Sequence, residues 1–223
     1  MSEIKNNNVP TKTDENTTKM RGFIEHRATW MGLLIDEAKK AGLSTEFAHK
    51  AILRCGCFHG MNKYSRTDDL TVFAPEFANP DVVDIFEMEI LEQSEKALNI
   101  DFHYCPLLAA WRKLGLPEED MPELCDIAMD GDRGIISTYA NEGFSFELGK
   151  TLAKGDDVCQ IRISKTESPY RRGSGPSARI PRPLNTTPAA QLRGGLPFSC
   201  KTLLRLSLHN RLIVTVFDLT LLP

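Results

Sequence analysis

The chain has 223 residues, 41% apolar and 26% charged, with a net charge of −3. That composition excludes a wholly disordered polypeptide. The charge gives no reason to expect a nucleic acid or an anionic membrane as partner.

The opening stretch, residues 1–19, is polar and has no apolar core, so it reads as a flexible arm without a secretory signal. From Thr18 to Ala41 the residues Ile24, Ala28, Met31, Leu34, Ile35 and Ala38 recur at three- and four-residue steps, which predicts an amphipathic helix stopped by Gly42. Ser44 is placed to cap a second helix carrying Phe47, Ala48, Ala51, Ile52 and Cys55. Residues 60–79 read as a connection. Pro80 then opens a third helix, expected to run to about Leu98.

At Asn99 the pattern changes to alternation, and NIDFHYC predicts a strand ending at Cys105. Pro106 starts a short helix containing Trp111, and acids at 118–120 open another that carries Leu124, Ile127, Ala128 and Ile135. Residues 143–153 and 158–164 form a strand hairpin by pattern. Helices followed by a small antiparallel sheet define an α+β domain over residues 20–164.

Residues 1–164 hold 18 Lys+Arg against 28 Asp+Glu, a net of −10; residues 165–223 hold 9 against 2, a net of +7. The boundary is crowded with Pro and Gly, so residues 165–223 read as a disordered basic tail, either an extension or an out-of-frame end. Its apolar stretch, Leu203–Leu222, is interrupted by Arg205, His209, Asn210, Arg211 and Asp218, which argues against a membrane span. The cytoplasm is the expected compartment. The six cysteines then read as thiols rather than disulfides. Cys55-Gly-Cys57-Phe-His59 lacks the second half of a zinc site, and neither metal nor cofactor is expected.

Strand alternation puts Phe102 and Tyr104 on one face and His103 and Cys105 on the other. The second face is expected to gather His103, Cys105, Glu147 and Arg162. Cys159 falls on the opposite parity. No phosphate loop, EF-hand, nucleophile elbow or zinc-protease motif is present. The segment His103-Tyr104-Cys105-Pro106-Leu107 stands where a strand hands over to a helix. A thiol at a helix start has its pKa lowered, and a nearby imidazole takes its proton, which is the chemistry of an activated nucleophile. The same residues also fit a buried Cys and a hydrogen-bonded His that only pack.

The blocks HYCPLLAAWRKLG, LCDIAMDGDRG and FELGKTLAKGDDVCQIRIS, in that order, resemble the L-2-amino-thiazoline-4-carboxylic acid hydrolase family over roughly Met20 to Ser164. The resemblance implies hydrolysis of a small cyclic amidine acid to N-carbamoyl-L-cysteine. It implies His103 as acid or base, Cys105 as nucleophile or polarising thiol, Asp132 orienting His103, and Cys159 reaching the same pocket. Arg133 or Arg162 would hold the carboxylate, with Cys125 also against substrate. The partner implied is a small-molecule substrate. The alternative is a non-enzymatic domain whose His/Cys pocket holds a small molecule or a metal.

Overall fold

The computed structural model describes residues 6–166. The expectations for the basic tail fall almost wholly beyond them. Six α-helices and four strands are present among the described residues: α1 (Glu15–Lys40), α2 (Glu46–Asn62), α3 (Leu70–Phe77), α4 (Pro80–Phe86), β1 (Met88–Gln93), β2 (Ala97–Phe102), α5 (Pro106–Lys113), α6 (Met121–Ser137), β3 (Phe144–Leu148) and β4 (Cys159–Lys165). The strands form one antiparallel sheet in the order β1-β2-β4-β3, so the fold is α+β. No helix among the described residues is long and apolar enough to cross a membrane.

One face of the sheet is the floor of the core. The register pairs Leu98 with Ile163, Ile100 with Ile161 and Phe102 with Cys159, and all six are buried. These side chains share one face because both strands alternate with period two. The other face carries Asn99, Asp101, Glu147 and Arg162, with Arg162 opposite both Asn99 and Glu147. Arg162 donates to Asp101 at 2.7 Å and to the Ile100 carbonyl at 2.9 Å.

Helices α2 and α6 meet with almost no space between their backbones. A methyl at Gly56 would stand 2.0 Å from the Gly131 carbonyl oxygen, and one at Gly134 would stand 2.3 Å from that of Leu53. Only glycine permits this approach. The crossing sets the neighbouring residues His59 and Asp132 at the edge of the core.

Three expectations change. The third helix ends at Phe86 rather than near Leu98, and Met88–Gln93 is a strand. Glu87 stops the helix in the left-handed region, at φ 49°. A non-glycine residue there needs compensation, and Glu87 receives it from the Arg21 guanidinium at 2.9 Å and from the Thr11 and Lys12 amides at 2.7 and 2.9 Å. The connection at 60–79 contains α3, capped by Asp69 and buried through Leu70, Phe73, Ala74 and Phe77. Pro75 within it disguises the helical period. Part of the N-terminal arm is tied down. Asn6 accepts from Arg112, Asn7 donates to the carbonyls of Gly155 and Asp156, and Asn8 is buried against Cys105.

Candidate functional site

A cavity of about 510 Å³ lies between the helices and the core face of the sheet. Helix α6 forms one wall. Cys125, Ala128, Met129, Asp132 and Ile135 all line the cavity, and their three- and four-residue spacing is that of one helix face. Opposite them stand Phe102 and Cys159 from the sheet, Cys105, Leu107, Leu108 and Trp111 around the start of α5, and His59 and Tyr64 at or just past the end of α2. Arg27 and Lys63 also line it while being largely exposed, so they mark where the cavity meets solvent.

Three thiols in the lining lie close enough to act on one another. Each of Cys105, Cys125 and Cys159 has its pKa raised, in every case chiefly by burial. Cys125 is pushed up to about 12, and Cys159 well above the ordinary thiol value, with the other two sulfurs adding to the effect. At Cys105 the amides of Leu107 and Leu108 and the more distant Arg112 pull the other way, and burial wins. A helix start therefore does not activate this cysteine. The Leu152 amide donates to Cys159 Sγ at 3.3 Å. All three thiols are protonated at neutral pH.

Near the opening the groups are polar. Asp132 faces the cavity with no hydrogen bond or ion pair to its carboxyl among the described residues. Burial raises its pKa to about 6, against weaker lowering by Arg27 and Arg133. Tyr64 is raised to about 12 by burial and by Asp132. His59 has its pKa lowered by burial and by Lys63 and Arg27, and its Nδ1 is buried with no hydrogen-bond partner among the described residues. A neutral imidazole and a carboxyl that titrates near neutrality thus share this hollow.

The residues expected at the site divide. Cys105, Cys125, Cys159 and Asp132 are brought together around the cavity. His103 is not. It is exposed, and its Nε2 lies 3.0 Å from Glu89 on β1. The expected shared face of His103 and Cys105 fails because β2 ends at Phe102, so alternation no longer governs residues 103–105. Cys105 instead faces the cavity with Phe102 and Cys159, despite their opposite parity. Asp132 therefore cannot orient His103. Arg133 lies on the outer side of α6, held by Asp126 at 2.6 Å and Asp130 at 2.8 Å. Arg162 is on the far face of the sheet with Asp101. Neither arginine reaches the cavity.

Arg27, His59, Lys63 and Tyr64 line the cavity without having been singled out from sequence as site residues. Asp132 had a readable signal, since it sits four residues after Ala128 and three before Ile135, on the apolar side of its helix. Arg27 had none, because a lone cation on an amphipathic helix is ordinary. Trp111 both lines the cavity and donates its Nε1–H to the Ala28 carbonyl at 2.9 Å. Among the described residues no group of three His, Cys, Asp or Glu side chains is arranged to hold a metal ion.

No curated protein matches the chain. Among solved structures it is similar to a trafficking protein particle complex subunit 3 from Naegleria fowleri, crystallised covalently bound to palmitic acid. That match has 20% identity and a TM-score of 0.32, covering 70% of this chain and 85% of that one. So slight a likeness carries no argument about fold or function. The profile of L-2-amino-thiazoline-4-carboxylic acid hydrolase matches residues 21–163, spanning every helix except the first six residues of α1 and all four strands almost completely. On that match the chain belongs to the L-2-amino-thiazoline-4-carboxylic acid hydrolase family.

Proposed function

We propose that the cavity hydrolyses a cyclic amidine acid of the L-2-amino-thiazoline-4-carboxylate type, with Asp132 rather than His103 as the proton-transfer group. The observation that supports this most is the Asp132 carboxyl, unpaired in a cavity and with its pKa raised to about 6. A base held near the working pH is what general acid–base catalysis requires.

The reaction is a hydration followed by ring opening. Asp132 takes a proton from a water whose oxygen bonds to the ring carbon between nitrogen and sulfur, and passes that proton to the ring nitrogen. The resulting tetrahedral carbon collapses to a carbonyl, its C–S bond breaks, and the proton of its hydroxyl passes by way of Asp132 to the departing sulfur. The product is N-carbamoyl-L-cysteine, one water heavier than the substrate. Arg27 and Lys63 supply positive charge at the opening for the substrate carboxylate. His59, neutral because its pKa is lowered, can donate a hydrogen bond to the developing charge. The thiols line the apolar end and, being protonated, take no nucleophilic part.

Incubation of the full chain with L-2-amino-thiazoline-4-carboxylate, followed by thiol titration, tests the reading. Release of one thiol per substrate supports it. No release from a folded chain at substrate concentrations that saturate binding refutes it.

A further inference from the structure

The cavity is larger and more apolar than a thiazoline acid needs. At about 30 Å³ per liquid water, 510 Å³ is room for roughly 17 water-sized groups. A ring acid of about nine heavy atoms fills roughly half of that. Apart from the thiols, its ionisable lining residues, Arg27, His59, Lys63, Tyr64, Glu76 and Asp132, belong to one electrostatic neighbourhood.

Helix α6 shows the polarity of the cavity directly. Asp132 and Ile135 stand toward one end of its lining face and Cys125 at the other. From Cys125 to Ile135 the helix rises about 15 Å. Asp132 interacts with Arg27 and Tyr64, and His59 with Arg27 and Lys63, so these groups belong to one neighbourhood. The three thiols form another: Cys105 raises the pKa of Cys125, and both raise that of Cys159. Between Cys125 and Asp132, α6 presents Ala128 and Met129, and Phe102, Leu108 and Trp111 add further apolar lining. The polar end carries the exposed cations; the thiol end is buried.

We infer that this site also takes an amphiphilic acid, with an anionic head at Arg27 and Lys63 and an extended hydrocarbon body running along α6 toward Cys125 and Cys159. The inference rests on the preceding reading only for the position of the head. A hydrocarbon body desolvates the walls that a small ring leaves wet. Each buried methylene is worth about 0.8 kcal/mol, which is about a fourfold gain in affinity.

The test is calorimetric titration of the full chain with acetate, butanoate, octanoate and decanoate. Affinity is expected to rise about fourfold per methylene until the chain reaches the thiols. Ala128→Phe, which narrows the middle of the cavity, should weaken octanoate at least tenfold and leave acetate unchanged. Arg27→Gln with Lys63→Gln should weaken all four acids by the same factor. Affinity that does not change with chain length overturns the inference, as does octanoate binding untouched by Ala128→Phe in a chain that folds. Should that variant not fold, the chain-length series on the unmodified protein decides alone. Cleavage of the thiazoline acid without any chain-length gain defeats this inference and leaves the hydrolase reading standing. Chain-length gain without cleavage does the reverse.

Discussion

Asn8 and Cys105 exchange two hydrogen bonds. The Cys105 amide donates to Asn8 Oδ1 at 2.7 Å, and Asn8 Nδ2 donates to the Cys105 carbonyl at 2.9 Å. The asparagine thereby imitates a neighbouring strand at the point where β2 has ended and α5 has not begun. Its loss leaves the Cys105 N–H of the cavity wall unsatisfied, while the Cys105 carbonyl keeps the Ala109 amide at 3.1 Å. Asn8→Ala should destabilise the protein by about 1–3 kcal/mol, seen as a lower urea midpoint with unchanged slope. Asn8→Asp keeps the acceptor and should cost less.

The close approach of α2 and α6 predicts opposite outcomes for two glycines. Gly134→Ala drives a methyl against backbone atoms of Leu53, Gly56 and Cys57 and should destabilise by about 1–3 kcal/mol or more. Gly22→Ala on α1 meets nothing within 4 Å and should stabilise by about 0.5–1 kcal/mol through helix propensity. Thermal melts of the two variants check the pair.

Much of this architecture is legible in the residues. The long first helix, the helix opened by Pro106 and the closing hairpin all announce themselves by period and by Pro or Gly at their ends. Met88–Gln93 does not, because an edge strand with exposed Glu89, Ile90 and Leu91 has no clean alternation. Its boundary is fixed by the distant Arg21–Glu87 pair, which no local window contains. At the site, the sequence groups Cys105, Cys125, Cys159 and Asp132 with His103; the first four line the cavity and His103 does not. Alternation carried to Cys105 runs three residues past the end of β2 at Phe102. Arg27 and Lys63 are brought to the cavity by helix packing alone.

Asp132 makes stability depend on pH in a stated direction. Its folded pKa, about 6, is above the ordinary carboxyl value of 3.8. The folded state therefore favours the protonated form. The penalty is absent below about pH 4, grows as pH rises through 4–6, and is complete above the folded pKa, where it amounts to about 3 kcal/mol. The groups acting on it are Arg27 of α1, Tyr64 just beyond α2, and Arg133 of its own helix. Asp132→Asn should stabilise the protein at pH 7.5 by up to that amount and have little effect at pH 4. Urea unfolding of both proteins at the two pH values measures the difference.

Burial orders the thiols by reactivity. Cys55 is exposed, whereas Cys125 and Cys159 are buried with their pKa values raised. Iodoacetamide at pH 7.5, read peptide by peptide by mass spectrometry, should label Cys55 at least tenfold faster than either, because the thiolate is the reacting form. Equal rates would mean that the cavity walls open freely.

The most direct test of the account compares two substitutions in one assay, thiol release from L-2-amino-thiazoline-4-carboxylate. Asp132→Asn should lower kcat by about 10²–10⁴ while the protein stays folded, and His103→Ala should leave kcat within about twofold. Turnover that survives Asp132→Asn, or that disappears with His103→Ala, contradicts the assignment of the reaction to the cavity carboxyl.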